Sequence, residues 1–224
     1  MPSLICGALG LYWVQTEYSD LRVEVQKTIM TDICDINAYF DCLSDTVQRL
    51  PFAALEEVAK ILVRAYDRGN MIYLFGNGGS AALASHFACD LGKGTVNGSG
   101  KRFRVLALTD NVPLMTAWAN DSRYEDIFAE QLSNLVCEND VAFAISGSGN
   151  SPNVLRALRV AREARAITIG LGGFRGGRMK DLCDQCMIVP SDNMQIIEDL
   201  HLCVAHALFT AVRKQTCVAS GAVA

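Results

Sequence analysis

Residues 71–80 read Met-Ile-Tyr-Leu-Phe-Gly-Asn-Gly-Gly-Ser. The five apolar residues at its start predict a buried strand of a parallel sheet. Helix-forming residues follow Ser80, so the glycines fall where a strand turns into a helix. Glycines let a backbone approach a ligand closely, and the free N–H groups of a helix start suit an anion. The turn could also be purely structural, and it lacks both the dinucleotide spacing G-x-G-x-x-G and the phosphate loop ending in Gly-Lys-Ser/Thr.

Apolar runs and helical patterns alternate along the rest of the chain. The predicted strands are 71–75, 103–108, 141–145, 166–171 and 186–189. The predicted helices are 31–50, 51–68, 81–91, 112–118, 124–135, 154–163 and 192–213, with turns at 109–111 and 120–122. This alternation predicts an α/β fold with a parallel sheet covered on both faces, and ligands that bind at the carboxyl ends of the strands. The two helices before the first strand could pack on another copy of the chain or form a lid.

Composition excludes several classes of function. The chain has 224 residues, a net charge of −4 and a pI of about 5.4, without a basic cluster, so nucleic acid is not an expected partner. Its nine cysteines are scattered and odd in number, which favours reduced thiols and a cytoplasmic location. The apolar run 4–14 is too short to span a bilayer, and no membrane partner is expected. We predict an N-terminal extension at 1–29 and one domain at 30–217.

A second loop of small residues, Ser146 to Pro152, follows the third predicted strand. It holds three serines and an asparagine and precedes a helix with proline in its first turn. Hydroxyl and free N–H groups together suit a phosphate monoester. The alternative is an ordinary helix cap. We favour a phosphate site, because two such loops at one edge of a sheet converge on one place.

Besides the two loops, a group of histidines and carboxylates indicates a functional site. His86 and Asp90 lie four residues apart on one predicted helix, and Glu198 and His206 lie on the last helix. Such a group could hold a zinc-type ion or act as an acid–base pair. His201, on the same last helix, is expected to be a core polar residue. The C-x-x-C motif of Cys183 and Cys186 lacks the second cysteine pair that a structural zinc site would need. We therefore expect both cysteines to be packing residues.

These motifs together resemble the sugar isomerase (SIS) domain family, and within it the phosphoheptose isomerases. The resemblance covers residues 31 to 213. It rests on Gly76 to Ser80 with His86-Phe87-Ala88, on Ala119-Asn120-Asp121, on Ile145 to Ser151, and on Ile197 to His201 with His206. It implies a three-layer fold with a five-stranded parallel sheet flanked by helices, preceded by a helical extension. It also implies a homotetramer with sites shared between subunits.

The resemblance further implies roles for individual residues. The positions it marks as substrate-binding are Asn77, Gly78, Gly79, Ser80, Asn120, Asp121, Ser146, Gly147, Ser148, Ser151 and Glu198. Asp90 and His206 match its catalytic acid–base positions. In zinc-bearing members the ion is held by the positions of His86, Asp90, Glu198 and His206. The implied reaction converts sedoheptulose 7-phosphate to D-glycero-D-manno-heptose 7-phosphate through an enediol.

Three positions depart from the family pattern. The family usually has Glu at position 90, Gln at 198 and Thr at 147, where this chain has Asp, Glu and Gly. The extra negative charge of Glu198 favours a bound cation or a protonated neighbouring acid. These changes leave two alternatives open. One is an isomerase of another phosphosugar, and the other is a non-catalytic SIS protein that binds the replication initiator or senses phosphosugars.

Overall fold

The computed structural model describes residues 35–96 and 100–218, with side chains to residue 216. The predicted extension 1–29 and the first residues of the predicted helix at 31–50 lie outside the described residues. Backbone contacts divide the chain into two compact units, 1–44 and 45–224. The first helix, α1 (Ile36–Gln48), crosses this division. Among the residues that the structure describes, the sheet and the other helices belong to the second unit.

The five predicted strands all form, and they build one parallel sheet. They are β1 (Met71–Gly76), β2 (Arg104–Ala107), β3 (Val141–Ser146), β4 (Ile167–Gly172) and β5 (Gln185–Ile188), in the order β2-β1-β3-β4-β5. Gly76 pairs with Ile145, and Ser146 pairs with Gly172. The loops after β1 and β3 therefore leave neighbouring strands at the same edge. Central strands are buried on both faces, which explains their uninterrupted apolar runs.

Helices cover both faces of the sheet. They are α2 (Phe52–Arg68), α3 (Gly79–Gly94), α4 (Val112–Asp121), α5 (Ala129–Leu135), α6 (Pro152–Glu163) and α7 (Met194–Val218). The apolar stripes of α2, α3 and α7 meet Phe143 and Leu74 in one core cluster. α5 and α6 meet Phe75 and Ala144 in a second cluster on the other face. The predicted three-layer architecture is confirmed.

Helix α2 illustrates why these segments fold as predicted. Leu55, Val58, Leu62 and Tyr66 recur at helical spacing and are buried. The helix ends at Gly69, whose φ of 72° is the left-handed conformation that glycine adopts at low cost. The N–H groups of Gly69 and Asn70 donate to the carbonyl oxygens of Tyr66 and Ala65, so the chain turns directly into β1.

The segment between β2 and β3 differs from the prediction. Asn120 and Asp121 were expected in a turn, but they form the last residues of α4. The helix predicted for 124–135 is divided into a 3-10 turn at Tyr124–Asp126 and α5. Asp126 explains the break, because its carboxylate bonds Ser122 and forms ion pairs with Arg123 and Arg156. A buried charge tied to three partners fixes a local turn that periodicity does not reveal.

Helix α7 runs through the core. The stretch Met194–Thr216 is long and apolar enough to span a bilayer by length and composition. It nevertheless packs on α2 and α3 and buries Ile196, Leu200 and Val204. The core helix of a globular protein can have the same length and apolar composition as a membrane-spanning helix.

Cys183 and Cys186 lie beside β4. A methyl group on Gly170 would lie 2.9 Å from Cys183 Sγ and 3.0 Å from Cys186 Sγ, so both sulfurs pack on this glycine. A hydrogen bond between the thiols raises the pKa of Cys183 and lowers that of Cys186. This placement agrees with the packing role expected for the C-x-x-C.

Candidate active site

The turn after β1 brings the chain sharply into α3. Gly78 has a φ of 55°, a conformation that residues with a Cβ rarely adopt. Gly76 lies so close to β3 that a Cβ there would be 2.6 Å from the carbonyl oxygen of Ile145. Glycine is therefore required at both positions for the turn to fit the sheet. The N-terminus of α3 and the nearly buried Ser80 lie at the carboxyl edge of the sheet as a result.

Helices α3 and α7 bring three side chains together. The Nε2 atoms of His86 and His206 lie 2.9 Å apart. Asp90 Oδ2 lies 3.4 Å from His86 Nε2 and 3.8 Å from His206 Nε2. Both histidines are about half exposed, whereas Asp90 is three-quarters buried. The predicted convergence of Asp90 and His206 is therefore present within a single chain.

The three ligand atoms fit a zinc-sized ion. Tetrahedral ligands at the usual zinc distances lie about 3.3 Å from one another, and the three observed separations bracket this value. Asp90 Oδ2 is buried without a hydrogen-bond partner, so it retains a free acceptor directed at this group. Imidazole nitrogens and carboxylate oxygens are both ordinary zinc ligands. Among the residues that the structure describes, these three form the one candidate metal cluster.

Glu198 lies outside that cluster. It lines a cavity of about 300 Å³ together with Gly79, Ser80, His86 and His201. A Cβ on Gly79 would lie 3.3 Å from each Glu198 carboxylate oxygen, so the carboxylate faces the first turn of α3. The structure thus brings Glu198 to the same cavity as His86 but not to the three ligand atoms. Its position suits substrate contact better than the expected metal ligation.

The serine loop after β3 is held rigidly. Ser146 Oγ lies 3.3 Å from Ser151 Oγ, and Ser148 Oγ accepts from the N–H of Asn150. Gly149 has a φ of 62°, and a Cβ there would lie 2.0 Å from the carbonyl oxygen of Gly176. Ser151 begins α6 without capping it through its hydroxyl. The hydroxyls of this loop lie beside the N-terminus of α6, a position that suits an anion.

A side-chain network joins this loop to the turn after β1. Asn77 Nδ2 donates to Asn153 Oδ1 (2.9 Å), and Asn153 Nδ2 donates to Asn77 Oδ1 (2.8 Å). Tyr124 donates from its hydroxyl to Asn77 Oδ1 at 3.0 Å. Asn153 is buried in the first turn of α6, and Tyr124 is exposed. The turn after β1 is thus bonded to the first turn of α6, into which the serine loop leads.

Two other predicted residues stand apart from this arrangement. Asn120 Nδ2 donates to Asp121 Oδ1 at 2.8 Å, and both residues are exposed at the end of α4. The structure pairs these side chains with each other and does not bring them to the histidine cluster. Their assignment to substrate binding stays a prediction.

His201 has the core role expected for it. It is 1% exposed, and its Nε2 donates to the carbonyl oxygen of Gly172 at 3.1 Å. Burial lowers the pKa of His201 to about 4, although the bond to Gly172 opposes this change. His201 is therefore neutral at physiological pH and supports the floor of the cavity.

Comparison with known proteins places this site in a family. Residues 38–173 match the model of the SIS domain. A phosphoheptose isomerase of Aliarcobacter butzleri is 42% identical over 154 residues, which cover 69% of this chain and 81% of that protein. A phosphoheptose isomerase of a Bradyrhizobium species is 39% identical over 156 residues, covering 70% and 78%.

This chain belongs to the phosphoheptose isomerase family of SIS-domain proteins. A solved phosphoheptose isomerase of Francisella tularensis superposes with a TM-score of 0.73 at 30% identity, covering 82% of this chain and 99% of that one. Sequence and backbone geometry therefore agree on the family.

Sequence reasoning missed two residues that bond Asn77 in this candidate site. Asn153 reads as an ordinary first-turn helix residue, and Tyr124 as the start of a helix. Nothing in their spacing connects them with Asn77. They were found only because the fold brings α6, the 3-10 turn and the first glycine loop together.

Proposed function

We propose that this protein is an aldose–ketose isomerase that interconverts sedoheptulose 7-phosphate and D-glycero-D-manno-heptose 7-phosphate through an enediol. The family supports the reaction, because the similar proteins are phosphoheptose isomerases. One structural observation carries the proposal to this chain: Asp90, His86 and His206 converge beside a cavity bordered by the α3 N-terminus. The serine loop leaves the neighbouring strand at the same edge.

The serine loop would bind the end of the substrate that does not react. Hydroxyls of Ser146, Ser148 and Ser151, beside the N-terminus of α6, supply donors for a phosphate dianion. Binding energy from this remote group orients the reacting carbons relative to the acid–base residues. The sugar chain would then extend from the serine loop towards the turn after β1.

Asp90 and His206 would move the protons. One of them removes the proton from the carbon beside the carbonyl, and the other delivers a proton to the carbonyl oxygen. Reversing both transfers at the neighbouring carbon and oxygen yields the isomer without net gain or loss of protons. In the absence of an ion, Asp90 Oδ2 suits the first task, because it has no hydrogen bond to break.

Zinc is the ion we propose for the histidine cluster, with His86, Asp90 and His206 as its ligands. When bound there, such an ion would polarise the substrate carbonyl and favour the enediol. Glu198 would then remain free beside the N-terminus of α3.

Substrate turnover and isotope exchange test the reaction together. Wild-type protein is expected to interconvert the two heptose phosphates and to incorporate deuterium from heavy water at the carbon that loses its proton. Asp90→Asn and His206→Ala should each lower the rate by about 100-fold or more, because each removes a proton-transfer group. Gln131→Ala is the control for loss of a buried polar side chain, since Gln131 bonds backbone carbonyls on the other side of the sheet. Wild-type protein that is inert on this pair, with and without zinc, would contradict the proposal.

The three departures from the family favour a second candidate, an isomerase of another phosphosugar. The Glu198 carboxylate faces the α3 N-terminus, where the family's usual residue is a neutral amide. A negative charge there would select against an acidic substituent near the reacting end of the sugar. Proton exchange measured over a panel of sugar phosphates separates the two candidates, because only the true substrate exchanges rapidly.

We also propose a cytoplasmic homotetramer. The apolar stripe of α1 supports an assembly, because Ile36 is 77% exposed and Phe40 is 61% exposed. Light scattering after size exclusion would test it, and a mass of a single 24.3 kDa chain would contradict it.

A further inference from the structure

Asn77 and Asn153 form a closed pair in which each amide donates to the other. The two hydrogen bonds measure 2.9 and 2.8 Å. Asn153 is 1% exposed, and its Oδ1 also accepts from the N–H of Val154 in the first turn of α6. Asn153 is therefore fixed to the helix backbone, and Asn77 is fixed to Asn153.

The remaining bonding capacity of Asn77 is small. An amide oxygen accepts two hydrogen bonds, and those of Asn77 come from Asn153 and Tyr124. One of its two amide hydrogens is used as well. A single N–H of this side chain is therefore left for a ligand. The Asn77 side chain serves mainly to join the turn after β1 to α6 and to the 3-10 turn, although its sequence motif indicates a substrate contact.

We propose that Asn153 is a positioning residue that locks the turn after β1 to the serine loop. The proposal rests on the proposed function, because it assigns the acid–base residues to one end of the substrate and the serine loop to the other. Gly76 to Ser80 lead into the helix that bears His86 and Asp90, and Ser146 to Ser151 form the phosphate loop. The amide pair fixes the distance between these two parts, so substrate bound at one end meets the proton-transfer groups at the other.

Two variants of Asn153 test the pair. Asn153→Ala removes both reciprocal bonds and should lower kcat/KM by about 10-fold to 100-fold, with kcat falling and KM rising together. Asn153→Asp keeps the size and the acceptor but loses the donor at neutral pH. A protonated aspartic acid can again donate to Asn77 Oδ1 and accept from Asn77 Nδ2. Its activity relative to wild type at the same pH should therefore recover as the pH is lowered.

The comparison with wild type at each pH removes the titration of groups shared by both proteins, including His86, Asp90, His206 and Tyr124. Gln131→Ala is the matched control, because Gln131 is also a buried amide, 2% exposed, that bonds Leu108 and Ile127 carbonyls away from the site. It should lower the melting temperature without changing kcat or KM. An Asn153→Ala variant that behaves like Gln131→Ala, or an Asn153→Asp variant whose relative activity does not change with pH, would overturn the positioning role.

Hydrogen–deuterium exchange tests the connection without substrate. In Asn153→Ala, amides of both 76–80 and 147–151 should exchange faster than in wild type, whereas Gln131→Ala should leave both unchanged. Acceleration confined to one segment, or absent from both, would show that the loops are held independently. If wild-type protein proves inactive on heptose phosphates, the proposed function fails, yet this measurement still decides whether the amide pair joins the loops.

Discussion

The Nε2 atoms of His86 and His206 lie 2.9 Å apart, although 120 residues separate them in the chain. Close packing of α3 on α7 makes this contact possible. Gly94, at the end of α3, lies against the ring of Phe209, where a Cβ would approach the ring to 2.6 Å. The small residue lets the helices approach closely near the histidines. Two imidazoles and a carboxylate then meet at separations that suit a cation.

Zinc should stabilise the folded protein. After treatment with a chelator, an excess of zinc at about 100 times its dissociation constant would add about 2.7 kcal/mol, because only the folded chain presents the three ligands together. The melting temperature of untagged protein should rise by about 5 to 10 °C. His206→Ala should remove this rise, while His201→Gln should retain it, since His201 lies outside the cluster. An unchanged melting temperature of wild-type protein on adding zinc would argue against a metal site.

Two glycines of the serine loop should respond differently to alanine. Gly149→Ala places a Cβ at a φ of 62° and 2.0 Å from a backbone oxygen, so the loop must distort. We expect the unfolding free energy to fall by about 2 kcal/mol or more. We also expect inorganic phosphate to become a weaker competitive inhibitor of the enzyme. In Gly147→Ala the new Cβ would contact chiefly the flexible side chain of Met194. The unfolding free energy should therefore fall by less than about 1 kcal/mol.

Urea unfolding and phosphate inhibition of both variants provide the comparison. Equal effects of the two substitutions would mean that the loop is not held by the contact between Gly149 and Gly176.

Removing the charge of Glu198 should strengthen the binding of an anionic substrate. Glu198→Gln eliminates a carboxylate that faces the α3 N-terminus, so KM should fall a few-fold at low ionic strength and less at high salt. Glu163→Gln, an exposed position at the end of α6, changes the net charge equally and is the control. Steady-state kinetics at two salt concentrations would check this. A KM that changes by the same factor in both variants would exclude a local effect.

His201 should make the protein less stable in acid. Burial lowers its pKa to about 4 in the folded protein, whereas the unfolded chain titrates near 6.5. Between these values the unfolded state binds more protons, so the unfolding free energy falls as the pH falls, by about 1.4 kcal/mol per pH unit. His201→Gln keeps a donor for the Gly172 carbonyl but does not titrate.

The difference between wild type and His201→Gln in unfolding free energy should therefore change by about 3 kcal/mol between pH 7 and pH 4. Urea unfolding across this range measures it. Parallel curves for the two proteins would mean that His201 titrates normally in the folded state.

The sequence by itself determined the layers of this protein. Met71 to Phe75 and Val141 to Ile145 are uninterrupted apolar runs, and only a sheet covered on both faces buries such runs. The stripe of Leu55, Val58 and Leu62 likewise specified a helix against the core, and Gly76 to Ser80 marked the turn from β1 into α3. These inferences succeed because they depend on periodicity and on local backbone chemistry.

Only the tertiary structure decided which side chains share the site. Glu198 and His206 both lie on α7, yet the Glu198 carboxylate faces Gly79 while His206 meets His86 and Asp90. The bonds among Asn77, Asn153 and Tyr124 join three segments with no common sequence pattern. Distances between side chains on different elements depend on how helices and strands pack against one another, and spacing within one segment carries no record of that packing.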